Sequence, residues 1–271
     1  MKELNHTSDS FLFSVITINY NNRAGLESTF KSVSEQDFKD FEFIIVDGNS
    51  QDGSMDFLSK VKTPNLKIIS ENDNGIYDAM NKGIRNATGA YIIFMNSGDC
   101  FSGSFVLGRI HAVLNGHHTK LKFIYGDTFE KEAHGDMKHY KKAKNHTLAW
   151  YGMFAHHQSM VFAKDTLIKE KLFYNLNYEL AADWDFVLKF IKNLKNEEIK
   201  YLNMPFAVFE LGGVSSKYIQ GIREQYKIRR DELAWNRFKC LVLSSLHFTL
   251  NLIRERIPVV YLIFLKLRSR I

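Results

Sequence analysis

The chain has little cysteine and no apolar run of membrane-spanning length, and each absence excludes a class of protein. Its 271 residues include only two cysteines, Cys100 and Cys240. They provide neither a disulfide framework nor a cysteine pair for a metal, which fits a reducing cytosol. The first ten residues are polar, and the apolar run 11–18 is too short for a signal peptide or a membrane span. We therefore do not expect export.

Two familiar glycine motifs are also missing. There is no phosphate-binding loop of the Walker or dinucleotide type, which argues against a kinase, an ATPase or a nicotinamide enzyme. The sequence also lacks the Gly-x-Ser-x-Gly turn that would indicate a serine hydrolase. The composition, 45% hydrophobic and 14% aromatic, suffices for one sizeable core and a small appendage.

The excess positive charge is confined to the C-terminal end. The net charge is +6, yet residues 217–271 carry 12 basic against 4 acidic side chains, a balance of +8. The other 216 residues carry 24 basic and 26 acidic side chains, a balance of −2. A basic tail suits either nucleic acid or an anionic membrane.

Apolar segments within that tail favour the membrane. Residues 240–253 and 257–265 carry no formal charge and are flanked by basic residues. Both are shorter than the roughly 20 apolar residues of a spanning helix, so we expect helices lying in the lipid–water interface. The alternative is a helix pair packed on the rest of the protein or on a second subunit. Nucleic acid is the least favoured partner, because the basic residues border apolar helices.

The first hundred residues alternate strand and helix signals. Strands are predicted over 11–18, 41–46, 66–69 and 91–95, and helices over 24–34 and 76–87, with a short helix capped by Asp52 or Ser54 between them. The strands are continuously apolar and are joined through helices. This pattern predicts an α/β fold with a mostly parallel sheet covered on both faces.

The remainder of the chain is less regular. We predict strands over 123–125 and 158–162, a hairpin or mobile loop over 131–146, and a helix over 182–194. Gly212-Gly213 marks a turn that ends the compact domain or closes over a bound phosphate. Three helical segments complete the chain.

Three carboxylates lie where strands end or helices begin, namely Asp47, Asp99 and Asp183. The carboxyl ends of parallel strands form the ligand crevice of open α/β sheets, so Asp47 and Asp99 are expected to face one cavity. For Asp47 the alternative is a turn carboxylate that bonds its own backbone amides, and for the other two it is a helix or turn cap.

Four separated motifs occur in the order of a known family. They are Ser-Val-Ile-Thr-Ile-Asn-Tyr-Asn-Asn at 14–22, Ile-Ile-Val-Asp-Gly-Asn-Ser-Gln-Asp-Gly-Ser at 44–54, Asn-Gly-Ile-Tyr-Asp-Ala-Met-Asn-Lys-Gly-Ile at 74–84, and Glu-Leu-Ala-Ala-Asp-Trp-Asp at 179–185. Over about residues 11–215 the chain resembles a family 2 glycosyltransferase of the GT-A fold, of the bacterial surface-polysaccharide type. That fold is a Rossmann-like, mostly parallel mixed sheet.

The resemblance implies a binding site for a nucleotide-sugar donor. Its base would lie beside Asn19 and Tyr20, near Asp73, and would donate a hydrogen bond to Asp47. Further donor contacts are implied for Lys82, Asn96, Ser97 and Gly98.

The resemblance also implies a divalent cation. Residues 96–99 fall where the family carries Asp-x-Asp followed by another acid, but here Asn96 and Gly98 replace the two acids of that motif. Asp99 keeps its charge and is the implied ligand of Mn²⁺ or Mg²⁺ bridged to the donor diphosphate.

The catalytic base and the acceptor side follow from the same resemblance. Asp183 matches the family's base, although the family's preceding Glu is Ala182 here. One carboxylate suffices to take the acceptor proton in an inverting displacement, and Asp185 is the second candidate. His157 and Gln158 resemble residues that line the acceptor side, and the alternative is a buried hydrogen-bonding element.

These observations predict a GT-A domain over 1–215, with a nucleotide-binding half at 11–100 and an acceptor half at 101–215, followed by a basic helical tail at 216–271. The expected protein is an inverting transferase of a hexosyl or N-acetylhexosaminyl group. Its donor would be a nucleoside diphosphate-sugar, most simply a UDP-sugar, and its acceptor a saccharide, free or on a lipid diphosphate carrier. It would act at the cytoplasmic face of the inner membrane. The alternative is a non-catalytic protein that binds a sugar nucleotide or supports an assembly there.

Overall fold

The structure, a computed structural model, describes residues 11–132, 137–211 and 218–256. It divides into two compact units. The first comprises the described residues of Met1–Asn177 and Ala182–Gly213, and the second those of Tyr178–Ala181 and Val214–Ile271.

A single mixed sheet forms the first unit. Its strands are β1 Phe13–Asn19, β2 Phe41–Asp47, β3 Leu66–Ser70, β4 Tyr91–Phe94, β5 Cys100–Phe101, β6 Phe123–Glu132, β7 Lys138–Lys141, β8 Met160–Ala163 and β9 Ile199–Leu211. The helices of this unit are α1 Arg23–Ser34, α2 Ser54–Leu58, α3 Ile76–Asn86, α4 Val106–Gly116, α5 Lys164–Lys169 and α6 Ala182–Ile191.

The strand order is β3-β2-β1-β4-β8-β6-β9-β5, and β7 pairs with β6. The first four strands of this order are parallel, as continuously apolar strands joined by helices predict. β8 is antiparallel to both β4 and β6, which makes the second half of the sheet mixed. The predicted α/β fold is confirmed.

Close packing brings α3 against the sheet. Every residue of β1, β2 and β4 is buried. A Cβ atom built on Gly83 of α3 would lie 2.5 Å from the Cγ2 atom of Ile16 on β1. The absence of a side chain at position 83 therefore lets this helix, which begins just after the acidic turn 71–74, lie directly over the central strand.

The irregular half differs from the sequence prediction in three places. Residues 157–159 form a 3₁₀ turn, so β8 begins only at Met160. β6 extends beyond the predicted 123–125 to Glu132 and pairs with β7, so the pairing begins at Thr128, ahead of the hairpin or loop predicted over 131–146. α4 and the long strand β9 were not predicted; within β9, Pro205 reads as a strand breaker. The Gly212-Gly213 turn and the helical segment after residue 256 lie outside the described residues.

Two helices make up most of the second unit, α7 (Tyr218–Glu232) and α8 (Arg237–Arg256). Cys240 and Ser244 of α8 are buried. Six large apolar side chains of the same helix are exposed: Phe238, Leu241, Val242, Leu246, Phe248 and Leu252. In the described part of the chain, no helix combines the length and apolar content needed to cross a bilayer.

Candidate active site

Three parallel strands bring the predicted donor residues to one edge of the sheet. Asn19 and Asp47 are partners at the carboxyl ends of β1 and β2. Beyond β4 the chain continues alongside β1, where the backbone N–H of Ser97 donates to the carbonyl of Ile18 at 3.1 Å. Positions 19, 47 and 96–99 therefore lie at the same edge, where α/β sheets bind ligands.

Asp47 is fully buried, and both of its carboxylate oxygens already accept hydrogen bonds. Oδ1 accepts from Asn19 Nδ2 at 2.8 Å and Ser50 Oγ at 2.6 Å, while Oδ2 accepts from Ser50 N at 2.9 Å and Ser70 Oγ at 3.2 Å. These bonds hold the turn after β2 against β1 and β3. The observed geometry is that of the turn carboxylate, and a direct bond from Asp47 to a base stays a prediction.

Gly48 lies between the exposed ring of Tyr20 and the carboxylate of Asp73. A Cβ atom at position 48 would be 2.6 Å from Asp73 Oδ2 and 3.1 Å from Tyr20 Cδ2. Asp73 is itself oriented by the backbone N–H of Gly75, which donates to Oδ1 at 2.9 Å. An aromatic ring and a hydrogen-bond acceptor therefore lie so close to this backbone position that only a residue without a side chain fits there.

For the donor site that the resemblance implies, we predict that Gly48→Ala weakens binding of UDP, the simplest expected nucleotide, about tenfold or more, equal to about 1.4 kcal/mol, because the new methyl group displaces the Asp73 carboxylate. Isothermal titration calorimetry measures the effect. Gly152→Ala is the matched control, since a Cβ atom there meets nothing within 4 Å. Equal UDP affinities for the two variants would remove Gly48 from the donor site.

Lys82 supports the acidic turn that carries Asp73. Its Nζ atom donates to the carbonyl of Asn72 at 2.6 Å and lies 3.0 Å from the Glu71 carboxylate. Asp78, a turn earlier on α3, is 3.9 Å away. The ammonium group is therefore engaged in holding the turn, and a donor contact for Lys82 stays a prediction.

Asp99 is a buried carboxylate held by two distant parts of the chain. Its Oδ2 accepts from Gln158 Nε2 at 2.8 Å, and its Oδ1 accepts from the backbone N–H of Glu210 at 3.2 Å. Burial raises the pKa of Asp99 to about 7, and the nearby Glu210 charge adds to the rise. The group is thus poised to gain stability from a cation, which would favour its ionised form.

The turn just before Asp99, residues 96–98, carries further polar atoms. Gly98 adopts the left-handed conformation, with φ +102°, and its N–H donates to Thr29 Oγ1 at 3.1 Å. The side-chain oxygens Asn96 Oδ1 and Ser97 Oγ are buried and have no hydrogen-bond partner among the described residues. Mg²⁺-like cations need only one or two carboxylates when phosphates and waters complete the shell, so this set fits such an ion. In the described part of the chain, however, no cluster of three or more His, Cys, Asp or Glu side chains could hold a metal without such help.

The 3₁₀ turn His157–Ser159 links the Asp99 site to the aromatic core. Gln158 binds Asp99, while Nε2 of the adjacent His157 lies 2.8 Å from the hydroxyl of Tyr174. Burial lowers the pKa of His157 to about 3, so this imidazole is neutral. The structure agrees with the alternative of a buried hydrogen-bonding element, and an acceptor contact for either residue stays a prediction.

Tyr174 brings α3 and α6 together. Its backbone exchanges two hydrogen bonds with the Asn81 side chain, at 2.8 and 2.9 Å, and its ring stacks on Phe186 with centroids 4.2 Å apart. Burial raises the pKa of the Tyr174 hydroxyl, and the Asp183 charge contributes. The carboxylate of Asp183 is therefore close enough to influence a tyrosine that also contacts the donor-side helix.

Asp183 lies at the start of α6 and is partly exposed. Its Oδ1 accepts from the backbone N–H of the next residue, Trp184, at 2.8 Å, and Asp183 lies within the first turn of α6 and not at the cap position. Asp185, by contrast, is fully buried and lies 2.7 Å from Lys189 Nζ. Of these two carboxylates Asp183 is the more exposed, and its role as the base stays a prediction.

Three contributors to the site had no sequence signal. Thr29 accepts from Gly98 and donates to the carbonyl of Asp99 at 2.7 Å. The backbone of Glu210 and the side chain of Tyr174 reach the site from strand and loop positions far away in the sequence. No short motif contains them, so residue spacing alone could not have identified them.

A sheet whose parallel edge carries these groups, continued by antiparallel strands, has the GT-A architecture of enzymes that use nucleotide-sugar donors. The TarS 1–349 structure from S. aureus in complex with UDP-GlcNAc has a similar fold, with a TM-score of 0.68 and 18% identity, covering 90% of this chain and 76% of that one. The mannosyltransferase PcManGT from Pyrobaculum calidifontis, in complex with GDP-Man and Mn²⁺, gives a TM-score of 0.60 and 14% identity, with coverage of 97% and 81%.

Sequence comparison defines the family. The model for glycosyl transferase family 2 matches residues 14–169, so the chain belongs to this family and is a glycosyltransferase. The PGL/p-HBAD biosynthesis glycosyltransferase of Mycobacterium bovis is 28% identical over 224 residues, 77% of this chain and 80% of that protein. The putative teichuronic acid biosynthesis glycosyltransferase TuaG of Bacillus subtilis is 38% identical over 91 residues, 32% of this chain and 36% of that protein. The resemblance to the surface-polysaccharide type is confirmed.

Proposed function

We propose that the protein is an inverting glycosyltransferase that moves a sugar from a UDP-sugar to a saccharide acceptor in cell-surface polysaccharide synthesis. One observation carries this proposal: adjacent residues of one turn contact the Asp99 carboxylate and the Tyr174 hydroxyl, and the Tyr174 ring stacks on Phe186 of α6, the helix whose first turn carries Asp183. A diphosphate site and a base are thereby connected. The UDP-GlcNAc bound by TarS supports the choice of donor.

On the donor side, the base would stack on Tyr20 and reach Asp73, and Gly48 would allow the Tyr20 ring and the Asp73 carboxylate to lie this close together. Asn19 and Asp47 would act by fixing the turn that carries Gly48. Residues 11–100 would thus supply most donor contacts, and residues 101–215 the acceptor side. The diphosphate would lie over the turn of Asn96, Ser97 and Gly98.

Asp99 would hold Mn²⁺ or Mg²⁺ together with the donor diphosphate, and Asn96 Oδ1, a buried oxygen without a hydrogen-bond partner among the described residues, would assist. When bound, such an ion supplies positive charge to the departing diphosphate. The Mn²⁺ bound with GDP-Man in PcManGT supports this part of the proposal.

Asp183 would act as the general base. Its carboxylate takes the proton of the acceptor hydroxyl while that oxygen attacks the anomeric carbon of the donor sugar. The bond from this carbon to the diphosphate breaks, and the nucleoside diphosphate leaves with the electron pair. Attack opposite the leaving group inverts the anomeric configuration, so no second carboxylate is needed as a nucleophile.

A panel of sugar nucleotides tests the proposal. UDP-, GDP- and dTDP-sugars are incubated with the protein, Mn²⁺ and simple saccharide acceptors, and release of the nucleoside diphosphate is followed. Proton NMR of the product then gives the anomeric configuration. Release from a UDP-sugar with inversion supports the proposal. Binding without release would instead support the non-catalytic, sugar-nucleotide-binding alternative.

The tail would bind peripherally to an anionic membrane. Membrane binding would place the protein at the cytoplasmic face and give it access to a lipid-linked acceptor. The exposed apolar side chains 238, 241, 242, 248 and 252 recur at helical spacing on one side of α8. Basic residues at both ends of the helix, such as Arg237 and Arg254, suit anionic headgroups.

We predict that the double variant Leu241→Gln, Val242→Gln lowers partitioning onto phosphatidylglycerol-containing vesicles by about tenfold or more, because burial of each large apolar side chain contributes roughly 1.5–3 kcal/mol. Vesicle sedimentation measures the partitioning. Ile219→Gln, an exposed apolar position on α7, serves as the control. If the double variant sediments like the wild type but loses self-association, the exposed face is a subunit interface instead.

A further inference from the structure

Glu224 of α7 is a buried carboxylate with an unusual set of partners. Its Oε2 accepts from the backbone N–H groups of Leu180 at 2.9 Å and Ala181 at 2.9 Å. Its Oε1 accepts from the backbone N–H of Glu179 at 3.0 Å and from Gln220 Nε2 at 3.3 Å. The side chain is only 6% exposed. Three successive peptide N–H groups therefore converge on one carboxylate, within the second compact unit.

Such convergence fixes a short segment of backbone. Hydrogen bonds to an ionised acceptor are roughly twice as strong as neutral ones, and three on one residue restrict the intervening φ and ψ angles together. A helix also leaves its first N–H groups without intrahelical partners, and residues just ahead of it are otherwise free to fray. Here the chain passes from Ala181 directly into Ala182, the first residue of α6.

We infer that Glu224 is a positioning residue for the catalytic base Asp183, acting through the backbone of residues 179–181. This inference rests on the proposed function. Asp183 is the second residue after the held segment, so the start of α6 and the direction of its side chain depend on how the chain enters the helix. Base catalysis requires hydrogen-bond reach to the acceptor proton, and a displacement of about 1 Å costs as much as 10²-fold in rate.

Glu224→Gln weakens the hydrogen bonds between residue 224 and the backbone of residues 179–181 with little change in side-chain shape. Glu224→Gln has only one acceptor oxygen, and its NH₂ group would face a peptide N–H. At least one of the three hydrogen bonds is therefore lost. Glu224→Asp keeps the carboxylate on a stem shorter by one methylene and should retain part of the effect. Asp231→Asn, an exposed position on the same helix, is the matched control with the same change of charge.

Two measurements on the full chain test the inference. The first is kcat for release of UDP from the UDP-sugar that the wild type consumes, together with the Kd for UDP. We expect kcat of Glu224→Gln to fall about 10- to 100-fold with an unchanged Kd, Glu224→Asp to be intermediate, and Asp231→Asn to match the wild type. The second is amide hydrogen exchange, which should become faster at residues 179–183 of Glu224→Gln and stay unchanged over β1, β2 and β4.

Each other outcome would overturn the inference. Unchanged kcat or unchanged exchange at 179–183 would show that Glu224 does not position the base. A fall in kcat matched by an equal loss of UDP binding would indicate a general structural role. A wild type that consumes no sugar nucleotide would defeat the proposed function by itself. The exchange comparison would then still decide whether Glu224 holds the segment that enters α6.

Discussion

Asp183→Asn is expected to lower the rate of sugar transfer by roughly 10²–10⁴-fold, the usual contribution of a positioned general base. The amide cannot accept the proton of the acceptor hydroxyl. The fold should persist, because the Asn side-chain oxygen can still accept the 2.8 Å hydrogen bond from the backbone N–H of Trp184. Nucleoside diphosphate release at saturating donor and acceptor gives kcat, and calorimetry gives the Kd for UDP.

Measuring donor binding distinguishes loss of the catalytic base from a general loss of structure. The Kd for UDP should stay at the wild-type value, since Tyr20, Gly48 and Asp73 are unchanged. Asp165→Asn provides a control at the start of α5, beside the opposite end of β4, where Asp165 pairs with Lys120 at 2.6 Å. Wild-type turnover by Asp183→Asn would remove this residue from the mechanism.

Asp99→Asn is expected to stabilise the metal-free protein at pH 8 by about 4 kcal/mol relative to the wild type. The pKa of Asp99 is about 7 in the folded state, against about 3.9 in an unfolded chain, and each unit corresponds to about 1.4 kcal/mol. Since the folded pKa is raised, the contribution of Asp99 to stability is fully present below pH 4. It is lost as the pH rises to about 7 and stays lost above that pH.

The uncharged amide of the Asp99→Asn variant does not lose stability as the pH rises, because it does not ionise. Its hydrogen bonds can be kept, because the Gln158 amide can turn to accept from the Asn NH₂ group while the Asn oxygen accepts from the backbone N–H of Glu210. Urea unfolding in the presence of a chelator, at pH 4 and pH 8, measures the difference. The gain of the variant should be largest at pH 8, and Mn²⁺ should stabilise the wild type alone. A variant less stable than the wild type at pH 8 would contradict the account.

The donor half of the fold could be predicted because its signals are local. β1, β2 and β4 are continuous apolar runs of four to seven residues, and α3 has a periodic apolar face bounded by an acidic turn. Parallel pairing then places their carboxyl ends together without further information. The positions of Asp47 and Asp99 at one edge follow from this rule alone.

What the individual side chains do there depends on contacts that no local pattern specifies. Asp47 accepts from Ser50 three residues away but also from Asn19 and Ser70, each more than 20 residues distant in the sequence. The two groups that bind Asp99 are 59 and 111 residues away. The two Asp99 contacts come from the mixed half of the sheet, where Gln158 precedes β8 and Glu210 lies on β9.

The most direct test of the central claim is a thermal-shift measurement with UDP, GDP and dTDP, each with and without Mn²⁺. A ligand that binds only the folded state raises the melting temperature by mass action. We predict that UDP raises the Tm of the wild type, that Mn²⁺ enlarges the rise, and that Asp99→Asn abolishes the Mn²⁺ effect. If none of the three nucleotides shifts the Tm with or without Mn²⁺, the edge formed by β1, β2 and β4 does not bind a nucleotide-sugar donor.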